Sequence, residues 1–135
     1  MFTYQRTIRF ADTDAAAVVY FPNFLSICHE AYEESLAAAG IELNTFFAAQ
    51  RVMVPVSKAA AEYLRPLACG DRVSITLSAK PAGSDGYSVE YEVRRLGPPD
   101  KLAARVRTEH VCIGAQTRER QALPALLAHW LAQSA

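Results

Sequence analysis

The stretch that decides the fold runs from Asp12 to Leu36: DTDAAAVVYFPNFLSICHEAYEESL. Two carboxylates in a polar turn lead into an unbroken apolar run, Ala15 to Phe21, and then into a long helix behind Pro22. Aspartate is rarely buried without a partner, and a desolvated carboxylate costs several kcal/mol unless it is paired or hydrogen-bonded. A carboxylate at the threshold of a buried helix therefore marks a candidate site. Pro22 suits a first helical turn, because its missing N–H has no helical partner in any case. Phe24, Cys28, Ala31, Tyr32, Ser35, Leu36 and Ala39 recur at helical spacing, and Gly40 is a natural residue just past the end. The span from Pro22 to Ala39 predicts a helix of roughly 27 Å at 1.5 Å per residue. His29, Glu30, Glu33 and Glu34 fall on its other side. The helix start presents unpaired N–H groups and the positive end of the dipole, close to Asp14 and the Val18–Phe21 backbone.

Outward from this stretch, the chain alternates. Phe2, Tyr4, Ile8 and Phe10 share one side of a first strand, interrupted only by Arg6. After the helix, Ile41 to Gln50 reads as a short helical or irregular connection. Met53 to Leu64 is a less regular strand, and Pro55 marks that end as a sheet edge. Val73, Ile75, Leu77 and Ala79 form the apolar face of one strand, and Tyr87, Val89, Tyr91 and Val93 that of the next. Leu102, Ala104, Val106, Thr108, His110 and Cys112 share a face of the longest strand, Leu102 to Ile113. Pro124 to Ala132 closes the chain as a helix. Short turns make the last four strands antiparallel. One helix and one sheet with an apolar face imply an α+β domain in which five antiparallel strands wrap a long central helix, a single unit spanning residues 1–135. The sheet's open edges favour edge-to-edge pairing of two copies.

Composition narrows the function. The 135 residues are 51% hydrophobic, and 14 Lys plus Arg balance 14 Asp plus Glu. Zero net charge gives no electrostatic case for nucleic acid. No apolar run approaches membrane-spanning length, and the first residues lack the pattern of a signal peptide. Cys28, Cys69 and Cys112 are widely spaced, with no metal-binding spacing, as expected of reduced thiols in the cytoplasm.

Several of these residues carry a resemblance. Phe10-Ala-Asp-Thr-Asp14, Val18-Val-Tyr-Phe-Pro-Asn-Phe24, the long helix, Pro66 with Gly70-Asp71, and the closing His110-Val-Cys-Ile113 resemble the hotdog-fold acyl-CoA thioesterases, in their 4-hydroxybenzoyl-CoA thioesterase branch. The run Cys28-His-Glu-Ala-Tyr-Glu33 and the strand from Thr108 to Ile113 look most like cyanobacterial 1,4-dihydroxy-2-naphthoyl-CoA hydrolases, which serve phylloquinone synthesis. The resemblance implies a hotdog fold, a homodimer assembled further into a homotetramer, and an active site at the dimer interface. It places the catalytic carboxylate on Asp14 and the backbone N–H that polarises the thioester carbonyl on Phe21. Where the family usually has Gly, this chain has Ala17, which fits only if φ is negative or strain is tolerated.

Thioester hydrolysis needs a nucleophile or an activated water and a donor for the developing oxyanion; a thiolate leaves readily without a strong acid. No metal or other cofactor is required. Asp14 can attack the carbonyl or act as general base. The alternative is that Asp12 and Asp14 only cap a turn; beside the VVYF match, Asp14 is assigned to chemistry and Asp12 to structure. Glu30 is read as a solvated or interface residue. Tyr20, Phe24, Val54, Tyr63 and His110 are candidates for lining an acyl pocket, each with plain core as the alternative. Arg65, Arg118 and Arg120 are candidates for the phosphates of coenzyme A. Gly83 and Ser84 occupy a hairpin where the 4-hydroxybenzoyl-CoA enzyme carries arginines. The expected substrate is an acyl-CoA, with 1,4-dihydroxy-2-naphthoyl-CoA first, 4-hydroxybenzoyl or short-chain esters second, and a non-catalytic acyl-binding module as the reading of another class.

Overall fold

The computed structural model describes all 135 residues. In chain order the elements are β1 (Phe2–Thr7), α1 (Asn23–Ala38), α2 (Phe46–Gln50), β2 (Val52–Met53), β3 (Val56–Tyr63), β4 (Arg72–Pro81), β5 (Gly86–Arg95), β6 (Lys101–Val111), β7 (Ile113–Gly114) and α3 (Ala125–Gln133), with a single 3-10 turn at Phe10–Asp12. Five strands form one antiparallel sheet in the order β1-β4-β5-β6-β3, and β2 pairs separately with β7. α1 packs against β1, β4 and β6, which is the expected α+β arrangement of a sheet around a central helix.

The alternation in β4 and β5 explains why. Val73, Ile75, Leu77 and Ala79, with Tyr87, Val89, Tyr91 and Val93, are all at most 2% exposed. The register pairs Ile75 with Val93, Leu77 with Tyr91 and Ala79 with Val89, so the two apolar rows form one continuous face. α1 covers it with Phe24, Ile27, Cys28, Ala31, Tyr32, Ser35 and Leu36. Each large apolar side chain buried this way contributes about 1.5–3 kcal/mol. Pro22 is the N-cap, and Gly40, with φ of +84°, follows the C-cap Ala39. α3 closes the far end of the core: Trp130 Nε1 donates to Ser35 Oγ at 3.2 Å, and the Ser134 carbonyl accepts from the Ala79 N–H at 2.7 Å.

Four details depart from the sequence reading. The expected Met53–Leu64 strand is broken at Val54-Pro55 into β2 and β3, which pair with different partners. Pro55 has no N–H to give a ladder, though its carbonyl still accepts from Val111 at 3.2 Å. In β6 a bulge sets Val93 opposite Ala104 but Arg94 opposite Leu102, so Ala103 is the extra residue. Ala103 and Ala104 are both fully buried while Leu102 leaves the inner row. Phe10, expected on the buried side of β1, is 83% exposed because the strand ends at Thr7 and its alternation ends with it.

The fourth concerns Arg6, which stands in the inward row of β1. Its side chain is only 13% exposed, and its guanidinium bridges Asp12 and Glu30, the latter at 2.6 Å. One residue thus ties the first strand to the following turn and to α1, and Glu30 is a paired group rather than a merely solvated one. Arg6→Met should lower unfolding free energy by about 1–3 kcal/mol, the cost of leaving part-buried partners unsatisfied; urea denaturation measures this, and an unchanged midpoint would deny the bridge a structural role.

Candidate active site

The Asp12–Asp14 turn is one arm of a tight hairpin. The Tyr20 N–H donates to the Asp12 carbonyl at 2.9 Å, Thr13 bridges Val19, and the Asp14 N–H donates to the Val18 carbonyl at 3.0 Å. The Ala17 N–H closes the tip on the Asp14 carbonyl at 2.9 Å, and Ala17 has φ of +66°. This is a three-residue loop whose last member is left-handed, a position that favours glycine. Of the two possibilities for Ala17, the turn keeps the left-handed shape and bears the strain. Asp14 Oδ1 accepts from the Ala16 N–H at 2.8 Å, while no group of the chain donates to Oδ2. Asp14 therefore holds its turn with one oxygen and has the other free.

The carboxylate is exposed in the protomer, not desolvated as its apolar neighbours suggested. Ala15, Ala16 and Ala17 form the hairpin tip and have nothing to pack on, and Tyr20 and Phe21 remain 46% and 60% exposed. Asp12 is structural: its carboxylate accepts from the Arg9 N–H at 2.7 Å and from Arg6, and its carbonyl accepts from Asn23 Nδ2 at 3.0 Å.

The second arm of the hairpin delivers the chain to α1. No side chain caps the helix. The Asn23 and Phe24 N–H groups turn back to the Tyr20 and Phe21 carbonyls at 2.8 and 3.3 Å, whereas the Phe21 N–H has no acceptor in the chain. It is a free donor beside the positive end of a sixteen-residue helix. Tyr63, at the end of β3, donates its hydroxyl to the Phe21 carbonyl at 3.1 Å. Its ring meets those of Phe21 and Phe24 edge-on at 6.3 and 5.3 Å, and Tyr20 meets Phe21 at 5.3 Å. The structure thus brings together Tyr20, Phe21, Phe24 and Tyr63 at the helix start; Phe24 is also core, at 4% exposure.

A cleft of about 360 Å3 runs between α1 and β3; Tyr20, Phe21, Phe24 and Tyr63 do not line it, and Leu25, next to Phe24 in the chain, is its lining residue nearest to them in sequence. Leu25, Val56 and Ala59 are among its walls, and Tyr91, Thr108 and His110 lie along it. His110 is 3% exposed and stacks on Tyr87 at 4.8 Å. Burial, helped by the nearby His29 and opposed by the Val54 backbone, lowers its pKa to about 4, so the ring is neutral at pH 7. A larger hollow of about 660 Å3 lies across the sheet's ion-paired strands, lined by Glu62, Glu90, Glu92, Arg105 and Arg107, and no residue assigned to chemistry borders it. Burial pushes the Cys28 thiol up to about 12, and burial with Asp85 raises Cys112, so neither supplies a thiolate. All three cysteines are unpaired.

The candidate phosphate ligands are dispersed. Arg65 donates to the Leu102 carbonyl at 2.6 Å, Arg120 lies 3.6 Å from Asp85, and Arg118 occupies a left-handed turn with no ion-pair partner. Arg65 and the Arg118–Arg120 pair sit at opposite ends of β6, about 33 Å apart at 3.3 Å per residue, so within one protomer they do not form a single anion site. Sequence reasoning missed Arg6, Asn23, Thr108 and Tyr91. The available signal was a polar residue in an apolar row, which Arg6 and Thr108 both give.

A protein-family model described as the Thioesterase-like superfamily matches residues 8–131. The chain belongs to that superfamily. Among its curated relatives, a 1,4-dihydroxy-2-naphthoyl-CoA hydrolase of Synechococcus elongatus is 48% identical, with 96% of this chain and 94% of the relative covered. One of the same description from Crocosphaera subtropica is 46% identical, again over 96% and 94%. Among solved structures, a 1,4-dihydroxy-2-naphthoyl-CoA thioesterase from Synechocystis superposes with a TM-score of 0.92 at 34% identity, covering 97% of this chain and 95% of that one. The hotdog architecture that the resemblance implied is the fold of this chain.

Within this thioesterase-like fold the hairpin tip is the strained point. Ala17→Gly should raise unfolding free energy by about 1 kcal/mol by relieving the left-handed alanine; thermal or urea unfolding reads this, and a loss of stability would mean that the strain is not there.

Proposed function

We propose that this chain hydrolyses an aromatic acyl-CoA thioester, 1,4-dihydroxy-2-naphthoyl-CoA first, releasing 1,4-dihydroxy-2-naphthoate and coenzyme A for phylloquinone or menaquinone synthesis. The observation that carries this reading is the unpaired Phe21 N–H at the start of α1 on the same hairpin as the exposed, half-free Asp14 carboxylate. The substrate comes from relatives 46–48% identical over 96% of the chain.

On this reading the Phe21 N–H donates to the thioester oxygen, and the helix dipole favours the charge that develops there. Asp14 Oδ2 either adds to the carbonyl carbon, expelling the thiolate and leaving an anhydride that water cleaves, or takes a proton from the water that attacks. Tyr63 fixes the Phe21 peptide, and Tyr20 and Phe24 flank the approach. Arg118, Arg120 and Arg65 serve the phosphates, from more than one protomer where the span demands it. The exposed Tyr20, Phe21, Val56, Tyr63 and Leu64 surround the open β3 edge. A second copy pairing along that edge would cover them, giving a homodimer that assembles further into a tetramer. The unpaired cysteines suit a cytoplasmic location.

Thiol release from 1,4-dihydroxy-2-naphthoyl-CoA, benzoyl-type and straight-chain esters tests the proposal. Wild type should prefer the naphthoyl ester, and Asp14→Asn should lower kcat by about 10²–10⁴-fold. Undiminished hydrolysis in the variant would remove Asp14 from the chemistry; silence on every ester would leave a binding module.

A further inference from the structure

The cleft beside α1 has a polar seam where an apolar one would be expected. The inward row of β6 runs Ala104, Val106, Thr108, His110, and Thr108 lies opposite the buried Val89 on one side and Ala59 on the other. Thr108 Oγ1 sits 2.8 Å from His110 Nε2 and 3.4 Å from Tyr91 Oη. The three groups form a line under walls that include Leu25, Val56 and Ala59, with Ser26, His29, Glu30 and Glu33 along the α1 side. Polar groups in such a place are costly unless fully used.

They are not fully used. The ring of His110 is neutral, so one nitrogen accepts and the other donates. With Nε2 accepting from the Thr108 hydroxyl, Nδ1 carries the proton and faces the Val54 backbone, without a hydrogen bond of good geometry to it. A threonine hydroxyl has one proton and two lone pairs. In this tautomer Thr108 gives its proton to His110 and can only accept from Tyr91, 3.4 Å away, which leaves one acceptor site open. An O–H group entering the cleft can fill it.

The position suits an acyl group held at Phe21. Leu25 lies in the first turn of α1, four residues beyond Phe21 in the chain. On the thioesterase reading, a ring attached to a carbonyl at the Phe21 N–H would extend past Leu25 toward the seam. A volume of about 360 Å3 falls in the range of small-molecule sites, and the β3 residue opposite Thr108 is only alanine, Ala59.

We infer that Thr108, held in place by Tyr91 and His110, accepts a hydrogen bond from a ring hydroxyl of the acyl group and so selects hydroxylated over plain aromatic acyl groups. This rests on the thioesterase reading and names the selecting residue within it. His110 and Tyr91 act through Thr108 as positioning residues. His110 thus has a specific part in the acyl site, at the end away from the thioester.

Two measurements separate the failure of this inference from that of the broader reading. The first compares kcat/KM for 1,4-dihydroxy-2-naphthoyl-CoA and hydroxyl-free 2-naphthoyl-CoA. The second compares binding of the two free acids by calorimetry, which needs no hydrolysis. Wild type should favour the hydroxylated member in both. Thr108→Val, equal in shape but without the acceptor, should reduce that preference by about tenfold or more, and Thr108→Ser should restore it. A preference that Thr108→Val leaves unchanged in ratio, or equal binding of the two acids by wild type, overturns the inference even if thiol release is fast. A Thr108-dependent preference among the acids supports it even if neither ester is cleaved.

Discussion

The seating of α1 on the inner face of the sheet is the constraint from which the rest follows. β4 and β5 present an apolar face that α3 covers only at its far end, and α1 has Ile27, Ala31 and Leu36 fully buried against the rest. Once that stripe is seated, the direction of the helix is fixed, and with it the place where its first turn emerges. Arg6 and Asp12 then anchor the chain ahead of that turn, and Tyr63 ties it to the end of β3. The free Phe21 N–H is held by core packing behind it and by polar ties beside it. A donor held this way needs little reorganisation when a carbonyl arrives, which is where such groups have most effect.

The same constraint accounts for the exposed surface. A sheet with β1 and β3 at its edges cannot cover the helix start and the β3 edge together. Val56, Tyr63, Leu64, Tyr20 and Phe21 are the result, apolar groups around one open edge. The cleft between α1 and β3 opens on this side too, so the proposed acyl group, carbonyl donor and carboxylate would share one region of the surface. In the protomer Asp14 is exposed, and covering of this region by a second copy would change its surroundings more than those of any core residue.

Much of the fold was legible because local periodicity and burial agree. The rows of β4 and β5, the span of α1 with Pro22 and Gly40 at its ends, and α3 are each specified by side chains a few residues apart. What was illegible depends on distant partners. The break at Val54-Pro55 follows from β2 and β3 finding different strands, β7 and β6, and the bulge at Ala103 from β5 meeting β6 out of step. The run from Ala15 to Phe21 is apolar, yet Ala15, Ala16 and Ala17 sit at a hairpin tip with no room behind it, and only Val19 reaches the core. In the site, Asp14 and Phe21 stood out because the motif around them is contiguous, and Tyr20, Phe24 and Tyr63 do gather at the helix start. Arg6 and Thr108 did not stand out, because a polar residue in an apolar row is understood only when its partners across the sheet are known.

The central claim is that the start of α1 polarises a thioester carbonyl. The most direct measurement is the infrared stretch of that carbonyl, carbon-13 labelled, in 1,4-dihydroxy-2-naphthoyl-CoA bound to Asp14→Asn, where slow turnover preserves the ester. A donor at Phe21 beside the helix dipole predicts a stretch shifted to lower frequency than in the free ester, because the bond is weakened toward the oxyanion. A bound ester with an unshifted carbonyl would contradict the account, since the helix start would then hold the substrate without acting on the bond that must break.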